Sequence, residues 1–166
     1  MSLAETFAAE LQQEAATTRR VLERVPDEHL AWRPHPKSMS LGQLAYHIAV
    51  LPRSISRLLQ ELSAEAPRVP LPEGTPVAEM IALLDAAVPF AVEQLAAWGD
   101  DGLRATWRMT REGKTLMEMP RLAMVRTVML NHWYHHRGQL TVYLRLLDVA
   151  LPSVYGPSAD DPGFAR

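Results

Sequence analysis

Four long stretches of this chain repeat their apolar residues with the period of an α-helix, and proline-rich segments divide them. The first runs from about Leu3 to Val25; Ser2 and Glu5 have capping-box spacing before it, and Pro26 ends it. The next segment, "PDEHLAWRPHPKSMS", carries three prolines and reads as a long connection. A second helix opens at "SLGQ", with Ser40 as cap and Gln43 three residues on. It is expected to reach about Glu65, kinked at Pro52. "APRVPLPEGTP" breaks the chain again. Thr75 followed by Pro76 places a proline at the first position of a third helix, which runs past Pro89, a second expected kink, to about Trp98, where "GDDG" stops it. Residues 104–118 alternate apolar and polar around "REGK" and predict a short hairpin near residues 106–117. A fourth helix starts near Pro120 and continues to about Val149, and the tail "LPSVYGPSADDPGFAR" is expected to be irregular. The predicted fold class is all-α: a four-helix bundle in one domain, 1–166, with a short β-hairpin before the last helix.

Composition narrows the function. The formal net charge is −2, which offers no electrostatic case for nucleic acid or an anionic membrane. There is no cysteine, so disulfides, thiolate metal sites and cysteine nucleophiles are excluded. The first residues lack a basic region followed by an apolar one, and no apolar run approaches the roughly 18 residues that span a bilayer. A cytoplasmic protein without membrane partners is therefore expected.

Histidines carry the chemical signal. Three of the chain's six histidines fall within "LNHWYHHRGQL", residues 130–140. On a uniform helical wheel, Leu122, Val125, Met129, Leu140, Tyr143 and Leu147 form one stripe of the last helix, and His132 and His136 fall inside it. Four residues apart, they stack on one face one turn from each other. His135 lies about 100° away, at the stripe's boundary. The second helix has its own stripe, Leu44, Leu51, Ile55, Leu58 and Leu62, and His47 belongs to it. Two helices thus direct three imidazoles toward the core. Three neutral imidazoles suit zinc, nickel or a related divalent ion and leave a coordination position open. The competing account is a histidine-rich polar network without metal. His29 and His35 lie in the long connection, where solvation is the default; a contribution from either as a fourth ligand points to a structural site. Arg137 borders the stripe and is a candidate for orienting an anion, although an arginine at a helix edge is more commonly solvated or ion-paired. Trp32 is a candidate wall of the pocket, with packing on the core as the commoner role.

"SLGQLAYHIA" at residues 40–49, "NHWYHHRGQL" at 131–140 and "VYGPSADD" at 154–161 resemble the DinB-like (DinB/YfiT-like) metal-binding four-helix bundles, as does the proline- and tryptophan-bearing first connection. The resemblance spans almost the whole chain. It implies a bundle with a long crossover connection, a divalent metal held by three histidines that map to His47, His132 and His136, and a homodimer. It also implies, for some members, transfer or isomerisation with low-molecular-weight thiols. The expected function is a divalent-metal-dependent enzyme acting on a small-molecule substrate, with a thiol-dependent S-transferase of small electrophiles as the specific expectation. The alternatives are a metal-dependent hydrolase and a non-catalytic metal-binding or stress-related module. Any thiol must come from outside a chain without cysteine. No acid lies between His132 and His136, so the metalloprotease arrangement, which needs a glutamate there, is disfavoured.

Overall fold

Two of the four helices start where their capping residues predict. In the computed structural model, which describes residues 1–68 and 71–163, Glu5 donates its N–H to Ser2 Oγ at 3.1 Å and Ser2 donates its own to the Glu5 carboxylate at 2.7 Å. This box opens α1 (Leu3–Leu22). Ser40 and Gln43 form the same reciprocal pair, at 3.2 and 3.0 Å, at the start of α2 (Leu41–Leu58). α3 (Val77–Arg104) begins one residue later than expected. Pro76 occupies the cap position, and the Val77 N–H is satisfied by Asp27 Oδ1 at 2.9 Å, from a 3-10 turn (Asp27–His29) within the first connection. Val69 and Pro70 of the second connection and the last three residues, all expected to be irregular, lie outside the described residues.

α2 ends at Leu58, short of the expected Glu65, because the following residues have a better use for their backbone. Ser63–Glu65 form β1, which pairs in parallel with β2 (Thr106–Arg111). The Glu65 carboxylate accepts from Thr110 Oγ1 at 2.7 Å and from the Glu112 N–H at 2.6 Å, holding the strand in place. Leu62, expected on the helix's apolar stripe, is outside the helix and exposed. The expected hairpin is present: β2 pairs antiparallel with β3 (Lys114–Pro120). Its turn residues Glu112 and Gly113 both have positive φ, 51° and 74°, the conformation that two-residue hairpin turns require. In α3, Gly99 takes φ 56°, ψ −171°, breaking the helix where "GDDG" predicts, but a further helical stretch resumes up to Arg104.

α1 packs on α3 and on the last helix, and α2 packs on the same two. α1 and α2 therefore occupy opposite corners, and residues 23–40 cross one end of the bundle, the long crossover. Leu30 is buried along this crossing, and Trp32 meets Tyr143 edge-on at 5.8 Å. Trp32 thus takes the core-packing role rather than a place in the pocket wall. Arg121 locks the other end. Its guanidinium is buried, donates to Leu59 O at 2.9 Å and Gly102 O at 2.5 Å, and lies 4.9 Å from the Trp98 ring, so one side chain satisfies carbonyls at the C-terminal ends of two helices.

The last helix is not uniform. α4 (Arg121–Met124) passes into a π-helical stretch (Val125–Asn131) and then into α5 (His132–Leu146). A π turn holds more residues than an α turn, so residues beyond it are rotated relative to a constant-period wheel. The buried face accordingly carries Met124, Leu130, Trp133, Arg137 and Leu144 in addition to Val125, Met129 and Leu140. Leu122, Tyr143 and Leu147, expected on the stripe, are only half-buried.

Candidate metal centre

Proline 52 has a direct consequence for the site. It cannot donate an N–H to the Ile48 carbonyl one turn earlier in α2. That carbonyl instead accepts the buried Trp133 indole N–H at 2.8 Å. Ile48 follows His47 and Trp133 follows His132, so the bond that replaces the missing helical one also sets the two histidine-bearing helices against each other. Trp133→Phe is expected to destabilise the protein by about 2–3 kcal/mol, through lost volume and an unsatisfied carbonyl. In a Pro52→Ala background, where a backbone N–H again reaches Ile48 O, the cost should shrink by about 1 kcal/mol. Urea unfolding of the four proteins measures this, and equal costs in both backgrounds would refute the coupling.

His47, His132 and His136 offer one ring nitrogen each, all within 4.8 Å of one another. The ring centroids are 5.2 Å (His47–His132), 4.8 Å (His47–His136) and 4.4 Å (His132–His136) apart. His136 is buried; His47 and His132 are half-buried. Outward hydrogen bonds decide which nitrogens face inward. His132 Nδ1 lies 3.2 Å from Val128 O, which can only accept, so Nδ1 carries the proton. His136 Nδ1 meets Gln139 Oε1 at 2.7 Å and is a donor in the same way. Both Nε2 atoms are then bare lone pairs, and they face each other at 2.7 Å. His47 Nδ1 is buried with no partner among the described residues. Converging lone pairs and an orphaned buried nitrogen are what a shared cation would satisfy. These three residues fit a divalent ion.

Burial and mutual proximity keep the rings neutral. His47 is pushed down to about 4, by burial first and then by His136 and His132. His132 and His136 are also lowered, chiefly by burial. Neutral imidazole is the ligand form. A histidine whose folded pKa lies below its unfolded value of about 6.5 binds more protons when unfolded. Its contribution to stability is full above that pH and declines as pH falls toward the folded value. The metal-free protein should therefore lose thermal stability between about pH 6.5 and about 4, the value for His47. His47→Gln should flatten part of that profile in thermal melts, and an unchanged slope would count against the assignment.

His135 is exposed, as its offset on the wheel predicts. His29 and His35 are exposed too, and His35 Nδ1 accepts the Lys37 N–H at 3.1 Å; neither joins the cluster. Arg137 takes the ion-paired role rather than the anion-orienting one, and it is buried rather than at the helix edge. It is 1% exposed and paired with Glu14 of α1 at 2.6 Å. Gln139, which meets His136 Nδ1, is not marked by helical period or composition; its place three residues after a candidate ligand, within "HRGQ", is its one signal in the sequence. The Pro52–Trp133 relation had no comparable signal, because it joins residues far apart in the chain.

A cleft of about 670 Å³ opens against the cluster, with His47 and His132 in its wall. A helical bundle in which two helices bring three histidines together beside a cleft defines a class of protein with a metal-competent centre. The chain belongs to the DinB family, whose model matches residues 1–163. It is 28% identical over 157 residues to the Bacillus subtilis (strain 168) "Uncharacterized protein YrdA", covering 93% of this chain and 89% of that one. Among solved structures it resembles a DinB-like protein from Bacillus cereus ATCC 10987, with TM-score 0.67 and 27% identity over 91% of this chain and 97% of that one. The DinB-like protein YjoA from Bacillus subtilis shares the fold, with TM-score 0.65 at 18% identity over 86% of this chain and 92% of that one.

Proposed function

We propose that His47, His132 and His136 hold one divalent ion, zinc or nickel, and that the protein is a metal-dependent enzyme acting on a small molecule. The specific reaction we propose is S-transfer from an external low-molecular-weight thiol to a small electrophile. The observation that carries the metal is the 2.7 Å approach of His132 Nε2 and His136 Nε2, with both Nδ1 atoms turned to outward acceptors and the partnerless His47 Nδ1 beside them among the described residues. Two features favour an enzyme over a structural staple. The described residues supply three clustered donors and no fourth, and the cluster borders a cleft with room for a ligand. A bound ion of this kind lowers the pKa of a coordinated water or thiol. The chain's own part is to orient the ligands: Val128 O and Gln139 Oε1 hold the Nδ1 protons of His132 and His136 outward. The test is metal analysis of the loaded protein, followed by a panel of thiols and electrophiles. One ion per chain with thiol consumption that requires the metal supports the reading. An ion with no thiol consumption but with ester or amide hydrolysis would replace S-transfer by hydrolysis.

We also propose a homodimer formed through α3. This is the one described helix long and apolar enough, by length and composition, to cross a membrane, yet only 28% of its most apolar window is buried. Its exposed side carries Ala78, Ala82 and Ala86, which permit close helix approach. Light scattering at high micromolar concentration should give twice the chain mass, and Ala82→Glu should give a monomer. A parent protein that is monomeric there overturns the proposal.

A further inference from the structure

Six apolar side chains around the cleft are only half-buried: Val50, Ile55 and Leu58 of α2, Val128 of the π-helical stretch, Ala64 of β1 and Met109 of β2. Scattered singly, such residues are ordinary; gathered in one concave wall, they mark a place for an apolar ligand. The short parallel strand that replaces the end of the expected second helix therefore also builds the cleft. The charged residues of the lining, Arg57, Glu61 and Arg68, are all exposed, so their charges stay in water. Among the described residues, none of the lining comes from α1, α3 or the tail, so a dimer through α3 leaves the cleft open.

Size decides the kind of occupant. From His47 to Leu58 the helix rises about 16 Å. Over that length a partner helix about 10 Å across would occupy about 1,250 Å³. The cleft offers about 670 Å³, which suits a small molecule. We propose that the electrophile carries an apolar body, an alkyl chain or an aryl-alkyl group, that lies along α2 between Leu58 and the histidine cluster, with its reactive end at the histidines. A polar body would lose water against these walls without gaining hydrogen-bond partners. The proposal rests on the metal-dependent reading for which end of the molecule reacts; the apolar walls belong to the chain whether or not an ion is bound.

Calorimetric titration of the full-length protein, zinc-loaded and zinc-free, tests this with butan-1-ol, hexan-1-ol and octan-1-ol as unreactive stand-ins. Affinity should rise by about threefold per added methylene in both forms, slightly under the value for complete burial because the cleft is open along one side. 2-(2-Ethoxyethoxy)ethanol, which matches octanol in length but has ether oxygens in its body, should bind at least tenfold more weakly. Leu58→Trp fills the end of the cleft far from His47, so octanol should weaken at least tenfold while butanol changes by less than twofold. Met109→Trp fills the sheet side and should weaken octanol too, and both variants should keep their zinc. In the cobalt-loaded protein, the protons on the hydroxyl-bearing carbon of octanol should broaden more than those of its methyl group. Affinity without dependence on chain length, or equal binding of the ether, overturns the apolar body. Octanol binding untouched by either tryptophan places the ligand elsewhere and overturns the cleft, and stronger broadening at the methyl group overturns the orientation. A dimer that octanol dissociates in light scattering shows a second copy in the cleft and also overturns the proposal. Zinc titration of the ligand-free protein reports on the metal centre separately. Failure of zinc with retained, length-dependent octanol binding overturns the metal reading, and the reverse overturns the cleft assignment.

Discussion

His136→Ala is expected to abolish stoichiometric metal, while His135→Ala retains it. His136 occupies the middle of the cluster. Its Nε2 faces that of His132 at 2.7 Å, its ring lies 4.8 Å from that of His47, and Gln139 holds its Nδ1 from behind. Removing it leaves two imidazoles, too few for a stable zinc or nickel site when no other donor among the described residues joins the cluster. His135 is its neighbour in sequence but points to solvent. The expected readout is a fall from one ion per chain to a trace for His136→Ala, and no more than a few-fold change in affinity for His135→Ala. Gln139→Ala should fall between them, with about tenfold to hundredfold weaker binding, because the ring keeps its position but loses the partner that fixes its tautomer. Equal loss in the His136 and His135 variants would sink the assignment and restore a metal-free histidine network as the better account. Bound metal should also be released as pH falls through roughly 6, since protons compete for the same nitrogens.

Arg137→Met is expected to cause the largest loss of stability among single substitutions at polar positions, about 3–5 kcal/mol, without loss of metal. The side chain crosses to α1, where Nη2 pairs with Glu14 Oε2 at 2.6 Å and Nη1 donates to Thr18 Oγ1 at 3.1 Å and Glu14 O at 3.2 Å. Tyr155 from the tail donates its hydroxyl to the same carboxylate at 2.9 Å. Glu14 is itself only 8% exposed, so the substitution strands a buried carboxylate with one neutral donor. The double variant Arg137→Met, Glu14→Leu removes both charges and should recover most of the loss, because an apolar pair of similar volume escapes the desolvation cost. Urea denaturation with a double-mutant cycle measures both quantities. A cost below about 1 kcal/mol for the single variant would show that water reaches the pair and that the network contributes little. Loss of metal in a variant that remains folded would return Arg137 to the site, where its place beside His136 in sequence had suggested it.

Helix existence, two of the four caps, the hairpin with its turn, and the membership of His47, His132 and His136 in one inward cluster were legible in the chain. All depend on neighbours a few residues apart: Ser40 with Gln43, Glu112 with Gly113, His132 with His136. Local hydrogen bonding and helical period act over that range, so sequence spacing reports them directly. The exclusion of cysteine ligands and cysteine nucleophiles was also decided by composition alone, since the chain has no cysteine.

What needed the tertiary structure was every feature that joins distant segments. A uniform wheel placed Arg137 at the edge of the buried face, but the π-helical stretch rotates the helix beyond Asn131 and turns Arg137 inward toward Glu14. Residues up to Glu65 looked like a continuing helix; they are a strand because β2, some forty residues later, offers a parallel edge. Pro52 read as a kink, and its actual consequence is a carbonyl left for Trp133. Hydrogen-bond donors, carboxylates and strand edges have no preferred partner until the chain brings one within reach. The histidines of this protein were therefore readable one by one, while the bonds that orient them and the cleft they open onto were settled only by packing.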